Sequence, residues 1–431
     1  MTDLFTNQRR RLRSLDREGL RRYQLERLNQ LLAVVLPSNR FYSQRLGEVP
    51  LPLDSLEQLD LLPFTHKHEL AGDGDAPFAA NRTYPIDHYV RYHRTSGTSG
   101  QPMGICDTSV DWLWWIETWQ YVLDAAEVTA RDVAVLAFSF GPFIGFWSAN
   151  DALAHRGAIV VPTGGMSTSA RLACLLELDA AVVCCTPSYA LHMAEIADQE
   201  NLDLAASNVR ALIVAGEPGG SIPSTRQRIE QAWGARVVDH AGATEIGPWG
   251  YGTLDGTALR IIESEFIAEF MRPSEDVRAD DGAPAELILT TLGRSGAPVI
   301  RYRTGDLVQS CYQPSDEDGF VKLSGGVIGR VDDMVIVRGV NVFPASIEGI
   351  IREFGEIVEY RAIVEQDGNL NSLRVEIEMT QDVTSRVAEQ LRTRLGLSVS
   401  VDSVPTNTLP RFQGKGKRFF DQRSNPDPQS T

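Results

Sequence analysis

Cysteine is scarce in this chain of 431 residues. The five present, Cys106, Cys174, Cys184, Cys185 and Cys311, are odd in number and lack the C-x2-C spacing of a metal or redox site. This excludes a disulfide-stapled scaffold and points to a reducing cytoplasm. The one adjacent pair lies inside the apolar run Ala180-Ala-Val-Val-Cys-Cys185 and reads as buried strand, not as a redox couple. No apolar run is long enough to span a bilayer, and the basic stretch Arg9-Arg-Arg-Leu-Arg13 is not followed by the apolar segment of a secretory signal. Basic charge is also short: 41 Lys and Arg stand against 57 Asp and Glu, a formal charge of -16. Such a balance repels nucleic acid and anionic membrane surfaces, so any polyanion must be met by a local basic site. There is no internal repeat of a solenoid.

What is there is a globular composition, 43% hydrophobic and 23% charged, in a chain too long for a single core. Residues 9 to 36 space Leu12, Leu15, Leu20, Tyr23, Leu25, Leu28, Leu31 and Leu32 by threes and fours among charges, which predicts an amphipathic helix on the main body. From about 108, near-continuous apolar runs at 132–138, 157–161, 180–184, 209–215 and 235–239 alternate with helical stretches near 144–155, 168–178, 188–199 and 222–233. Strand-helix-strand order with doubly buried strands predicts an α/β fold with mostly parallel sheet. The polar stretch Ser274 to Gly282 breaks that rhythm, and 283–328 reads as a β-rich subdomain. The pattern then becomes strand 334–337, helix 344–354, strands 357–364 and 372–379, helix 384–395 and strand 398–404. The expected organisation is a large domain over 1–328, a connector over 329–333 and a small α+β domain over 334–422. The tail over 423–431, rich in Ser, Asn, Asp, Pro and Gln, predicts disorder.

Five strings stand out in chain order: Thr95-Ser-Gly-Thr-Ser-Gly-Gln-Pro102, Ala243-Thr-Glu245, Tyr302-Arg-Thr-Gly-Asp306, Gly329-Arg-Val-Asp-Asp333 and Gly414-Lys415. In Thr95, Ser96, Gly97, Thr98, Ser99 and Gly100, glycines let backbone amides approach phosphate oxygens and hydroxyls add donors. That makes a phosphate cradle, with a plain surface loop as the competing reading. It is not a Walker A loop, since no G-K-[ST] follows, and Gly97-Thr-Ser-Gly100 does not meet G-x-S-x-G. Alone, Glu245 reads as a helix N-terminal carboxylate, Thr304-Gly-Asp306 as a turn and Lys415 as part of a solvated basic end with Lys417 and Arg418.

Together the strings resemble the ANL adenylate-forming superfamily, and within it the phenylacetate-CoA ligase-like branch. The resemblance covers nearly the full chain and includes Thr186-Pro-Ser-Tyr189, the runs from Arg301 to Leu307 and Gly329 to Pro344, and Leu409-Pro-Arg-Phe-Gln-Gly-Lys415. It implies ATP, Mg2+ and coenzyme A, and a reaction in which a carboxylate attacks the α-phosphate to give acyl-adenylate and pyrophosphate. Two anions must meet, so the catalyst neutralises charge and aligns reactants instead of making a nucleophile. By resemblance, Glu245 is the Mg2+ carboxylate, Thr244 contacts the α-phosphate, and Asp306 accepts from both ribose hydroxyls. Arg330 is a second contact to ribose or phosphate. Gly216, Glu217, Pro218, Asp239, His240 and Ala241 complete the ATP/AMP site. Lys415 is the catalytic lysine that bridges acyl carboxylate and α-phosphate. Asp332 is the hinge about which the small domain rotates for thioester formation, and Gly339 lines the pantetheine tunnel.

The acid pocket is expected from Phe138, Phe140, Phe143 and Phe146, with Tyr189 and Gly242. Five aromatics between Phe138 and Trp147 imply an apolar, aryl or arylacetic acid, and read equally as core. One departure stands out: Ala241 occupies the place of the family's adenine-stacking aromatic. His240 or another ring then covers the base, or nucleotide binding is weakened. Tyr251 to Ile262 contains neither Cys nor His, so no structural metal is expected there. The expected partners are a small carboxylic acid, ATP and CoA, without nucleic acid or membrane, and a homodimer is compatible. Two rival readings stay open: delivery of the acyl group to a carrier protein or an amine, and a non-catalytic nucleotide- or acyl-binding homologue.

Overall fold

The structure, a computed structural model, describes residues 2–71, 77–95, 102–139, 141–312, 318–338, 340–367, 370–412 and 417–423, without the side chains of residues 2–5, 341, 367 and 370. Ser96, Gly97, Thr98, Ser99, Gly100, Phe140, Gly339, Lys415 and the tail from 424 lie outside the described residues.

The helix expected over 9–36 is two helices, α1 (Thr2–Arg13) and α2 (Arg17–Val35). Asp16 divides them by capping the second, its carboxylate accepting from the Gly19 amide at 2.7 Å. Two short helices follow, α3 (Arg40–Leu46) and α4 (Lys67–Ala71). A hairpin of β1 (Tyr89–Arg94) and β2 (Gly104–Thr108) leads into α5 (Ser109–Ala125), which opens on a reciprocal Thr108–Asp111 capping box.

The alternation then runs β3 (Val133–Leu136), α6 (Ile144–Arg156), β4 (Ile159–Pro162), α7 (Thr168–Glu177), β5 (Val182–Cys185), α8 (Pro187–Gln199), β6 (Ala211–Val214), α9 (Pro223–Trp233) and β7 (Arg236–Ala243). These five strands pair in parallel in the order β7-β6-β5-β3-β4. Their side chains alternate between two cores: Ala134, Val182, Ile213 and Val238 enter one, Val135, Val183, Val214 and Val237 the other. Burial on both faces makes β3, β5, β6 and β7 continuous apolar runs in sequence, while β4 is the exposed edge strand.

The sheet continues through β8 (Gly247–Gly252), β9 (Ala258–Ile261), β10 (Phe266–Met271), β11 (Pro284–Thr291), β12 (Tyr302–Cys311) and β13 (Lys322–Arg330). These add antiparallel beyond β7 in the order β8-β9-β13-β12-β11-β10, completing an 11-stranded sheet. The β-rich stretch expected as a subdomain thus shares its hydrogen bonding with the parallel part.

After residues 331–334 come β14 (Val335–Val337), β15 (Val340–Val342), α10 (Pro344–Ile351), β16 (Ile357–Asp367), β17 (Leu370–Met379), α11 (Thr384–Leu395), β18 (Ser400–Ser403) and β19 (Phe419–Asp421). A four-stranded sheet, β18-β17-β16-β19, packs on its own core of Ile347, Val364, Val375, Ile377, Val387 and Leu391. This is a separate C-terminal α+β domain. It touches the large sheet's helices where Ser224 Oγ donates to the Gly349 carbonyl at 3.0 Å and Arg411 Nε lies 3.5 Å from Glu195. Among the described residues no helix is long and apolar enough to cross a membrane.

Candidate active site

The start of β12 is stitched to a distant segment. The Thr65 amide donates to the Arg301 carbonyl at 2.9 Å, and the Arg303 amide to the Thr65 carbonyl at 3.0 Å. Arg301 adopts φ +47°, a left-handed backbone that is costly for a side-chain-bearing residue, and its guanidinium is fixed by Glu269 at 2.8 and 2.9 Å. The stitching sets His66, Lys67 and His68 beside Tyr302. The turn between β7 and β8 supplies Thr244 and Glu245 to the same place. Glu245 is 8% exposed; the Tyr302 hydroxyl donates to its Oε1 at 3.0 Å, and Lys67 Nζ lies 3.9 Å from that oxygen. Burial and the adjacent Glu245 raise Tyr302 well above an ordinary phenol, so it stays a donor. Behind the turn, Arg294 and Asp107 are both fully buried: Arg294 Nε donates to Asp107 Oδ1 at 2.8 Å and its Nη1 to the Thr244 carbonyl at 3.0 Å. They form a strut under the turn that carries Glu245.

Asp306 and Arg330 face each other in register on β12 and β13, and Arg330 Nη1 donates to Asp306 Oδ1 at 2.9 Å. Arg330 also donates to both oxygens of Asp332, at 3.0 and 3.2 Å. Burial works against its charge, but Asp306 and Asp332 outweigh it and raise its pKa. Gly305 has φ +74°, and a Cβ there would lie 2.7 Å from Arg330 Nη2, so only glycine lets the guanidinium lie over this turn. A cleft of about 730 Å³ opens here, lined among others by His66, Lys67, Met103, Tyr302, Gly305, Arg330 and Asp332. Thr95 marks its edge, because the Met103 amide donates to Thr95 Oγ1 at 2.9 Å. The lining mixes Lys67, Arg303 and Arg330 with Glu286 and Asp332, and both arginines are ion-paired, so in a chain of charge -16 these basic groups are the local ones an anionic ligand can meet here.

Glu245 suits Mg2+. Its Oε2 has no hydrogen bond among the described residues, which leaves a hard oxygen free beside Tyr302 and Lys67 of the cleft lining. Among the described residues no group of three or more His, Cys, Asp or Glu forms a metal cage. Mg2+ takes one or two carboxylates together with water and substrate phosphates, so the donor set fits an ion arriving with a triphosphate.

The ends of β5, β6 and β7 hold the other expected nucleotide residues. Gly216 turns the chain at φ +93°, and Glu217 accepts from the Ser188 amide at 2.8 Å. Asp239 accepts from Ser221 Oγ at 2.6 Å under Gly220, where a Cβ would meet its carboxyl at 2.5 Å; burial pushes Asp239 up to about 6. His240 does not present its ring for a base. It packs on Trp119 with centroids 4.6 Å apart, its Nδ1 bonds the Gly250 carbonyl at 2.8 Å, and burial lowers it to about 4, so it is neutral with Nδ1 protonated. His240 is turned into the core, and Ala241 is partly buried against the same cluster where the register of β7 shifts.

The aromatic stretch divides between environments instead of forming one wall. Phe146 is 3% exposed and edge-on to Trp147, Phe143 is 49% exposed at the start of α6, and Phe138 is half-buried against the core. Tyr189 is fully buried in the core between α8 and α7, with its hydroxyl 3.1 Å from Thr168 Oγ1. Tyr189 and Phe146 are therefore packing residues here, while Gly242 is exposed beyond His240. The structure adds Lys67, Tyr302, Asp107 and Arg294 to the site. A sequence signal existed for two of them: Tyr302 opens the Tyr-Arg-Thr-Gly-Asp string, and Lys67 sits in His66-Lys-His68.

Residues 51–265 match the AMP-binding enzyme family and residues 339–423 the AMP-binding enzyme C-terminal domain. Phenylacetate-coenzyme A ligase of Pseudomonas putida is 30% identical over 435 residues, covering 94% of this chain and 95% of that protein. The Escherichia coli (strain K12) protein of the same name is 30% identical over 432 residues, covering 94% and 96%. A solved 2-hydroxyisobutyryl-CoA ligase in the postadenylation state, in complex with 2-HIB-AMP, is 25% identical with a TM-score of 0.89 over 96% of this chain and 92% of that one. The same enzyme in the thioesterification state, with 2-HIB-AMP and CoA, gives 0.71 over the same shares. Sequence and coverage being equal, the difference is one of arrangement, and this chain is arranged as in the postadenylation state. Identity of 30% along nearly the whole length of two phenylacetate-coenzyme A ligases shows that the chain belongs to the ANL adenylate-forming superfamily, in its phenylacetate-CoA ligase-like branch.

Proposed function

We propose that this chain is an ATP-dependent acid:CoA ligase that activates an aryl or arylacetic acid. The observation that carries the reading is a single cleft lined by Tyr302, Lys67 and Arg330, the first two holding Glu245 and the third Asp306, in a chain of this family. The acid class follows the phenylacetate-named relatives.

In the first step a carboxylate oxygen attacks the α-phosphorus, the bond to the bridging oxygen breaks, and pyrophosphate leaves with the electron pair. In the second the CoA sulfur attacks the acyl carbon, the carbon–oxygen bond to AMP breaks, and the thiol proton is lost. Bound Mg2+ supplies neutralisation of phosphate charge, and Glu245 holds it. The Thr95–Gly100 loop cradles the phosphates, Thr244 meets the α-phosphate and Asp306, oriented by Arg330, accepts the ribose hydroxyls. Lys415 stabilises the charge that builds as the two anions meet. Between steps the C-terminal domain turns about Asp332 and brings Gly339 to the thiol path, a motion supported by the unequal TM-scores to the two states of one relative. The five unpaired cysteines support a reducing, cytoplasmic setting.

The test is incubation with ATP, Mg2+, CoA and a panel of carboxylic acids. Acid-dependent AMP and acyl-CoA in equal amounts are expected. AMP without thioester would favour the carrier or amine reading, and neither product with any acid would favour the non-catalytic one.

A further inference from the structure

A second cleft, of about 500 Å³, lies between α8 and α9 on one side and the start of β16 on the other, and shares no lining residue with the nucleotide cleft. Four arginines line it: Arg228 from α9, Arg352 just past α10, Arg411 and Arg418. Two are accounted for. Arg418 makes a two-pronged pair with Glu359 at 2.7 and 2.9 Å, and Arg411 pairs with Glu378 at 2.8 Å and reaches Glu195 at 3.5 Å.

Arg352 is paired only at longer range, and Arg228 is not paired with a carboxylate among the described residues. Arg228 has no carboxylate within ion-pair reach among the described residues; its Nη2 donates to the Ile357 carbonyl at 3.3 Å, and its Nη1 is buried without a hydrogen bond. Arg352 is 3% exposed; it pairs with Glu348 and Glu359 at 3.5 and 3.6 Å, and its Nη1 meets the Val358 carbonyl at 3.4 Å. Its Nε is also buried without a hydrogen bond. Two guanidiniums therefore sit over neighbouring carbonyls in a cleft that Glu195 and Glu359 also line, each with a buried N–H that makes no hydrogen bond. A buried donor without an acceptor is costly, and like charges repel more strongly away from water. Burial, and then the charge of Arg352, lower Arg228 to about 10.

We propose that this cleft is a binding site for an oxyanion of the phosphate class, held between Arg228 and Arg352. A phosphate group supplies several acceptor oxygens and the compensating charge that Arg228 lacks, and the planar guanidinium matches it by paired N–H donors. The volume admits a small phosphorylated molecule as well as the free ion. Arg228 belongs to the large sheet's helices and Arg352 to the C-terminal domain, so the bound anion ties the two together in the postadenylation-like arrangement and opposes the turn toward thioester formation.

The test is titration of inorganic phosphate into the full chain, followed by calorimetry and melting temperature, against chloride at matched ionic strength. The parent should show saturable binding. Arg228→Met should weaken it at least tenfold, about 1.4 kcal/mol, with Arg228→Lys intermediate, and Arg330→Met in the nucleotide cleft should leave it intact. Arg228→Met should fold normally and melt no lower than the parent in chloride, because no carboxylate loses its partner. The proposal is overturned if phosphate acts no differently from chloride, if Arg228→Met binds as the parent does, or if Arg330→Met abolishes the effect.

Discussion

Asp239 and His240 are neighbours on β7 whose burial moves their titrations past each other. Asp239 rises from 3.8 to about 6 and His240 falls from 6.5 to about 4. Between those limits folded Asp239 holds a proton that the unfolded chain lacks, so its contribution to stability is present at low pH and lost as pH rises through about 6. His240 does the reverse: the unfolded chain holds the extra proton, and its contribution is present above 6.5 and lost as pH falls through about 4. The two oppose each other in one window. Relative to the parent, His240→Gln should make stability fall with rising pH there, and Asp239→Asn should make it climb, each by up to about 1.4 kcal/mol per pH unit. Denaturant unfolding across the window reads this directly; unchanged slopes would contradict the burial assigned to both groups. The strut beneath Glu245 is a second residue-scale case. Arg294→Met strands a buried Asp107 carboxylate and should cost about 3–5 kcal/mol, while the double variant with Asp107→Leu should regain much of that. Equal losses in single and double variants would show that the pair is not coupled. No string announced this pair, since its members stand 187 positions apart and meet only when β2 and the loop after β11 come together.

The elements legible in the sequence were those with one simple environment. The strands β3, β5, β6 and β7 are buried on both faces and read as unbroken apolar runs, with amphipathic helices between them. Helix α5 escaped because Trp112, Trp114, Trp115 and Trp119 are all buried, so it has no polar face and no helical stripe. The break at Asp16 escaped because leucine spacing runs across it, while the cap that ends one helix and starts the next is a single residue. At the site, the turn strings were legible but their supports were not: Lys67 arrives because Thr65 pairs with β12, a long-range contact that local pattern does not encode. The turn at Gly305 gives the element-scale prediction. Alanine there is strained by about 1 kcal/mol and drives its Cβ into Arg330. Gly305→Ala should raise the KM for ATP several-fold with only a small loss in melting temperature; an unchanged KM would separate this turn from nucleotide binding.

At the scale of the whole molecule, the proposed scheme divides the residues for the two steps of one reaction between the two parts of the chain. The chain is more like one relative in its postadenylation state, with a TM-score of 0.89, than in its thioesterification state, with 0.71. Lys415→Ala should then slow adenylation about a hundredfold and spare thioester formation from supplied acyl-AMP, measured as separate half-reactions; equal loss of both would contradict the two-arrangement scheme. Most direct is acid-dependent exchange of labelled pyrophosphate into ATP, which isolates adenylation from the choice of acceptor. The parent is predicted to catalyse exchange with at least one aryl or arylacetic acid, and Glu245→Gln to reduce it about a hundredfold. Absence of exchange with every acid of a broad panel, or undiminished exchange by Glu245→Gln, would contradict the account.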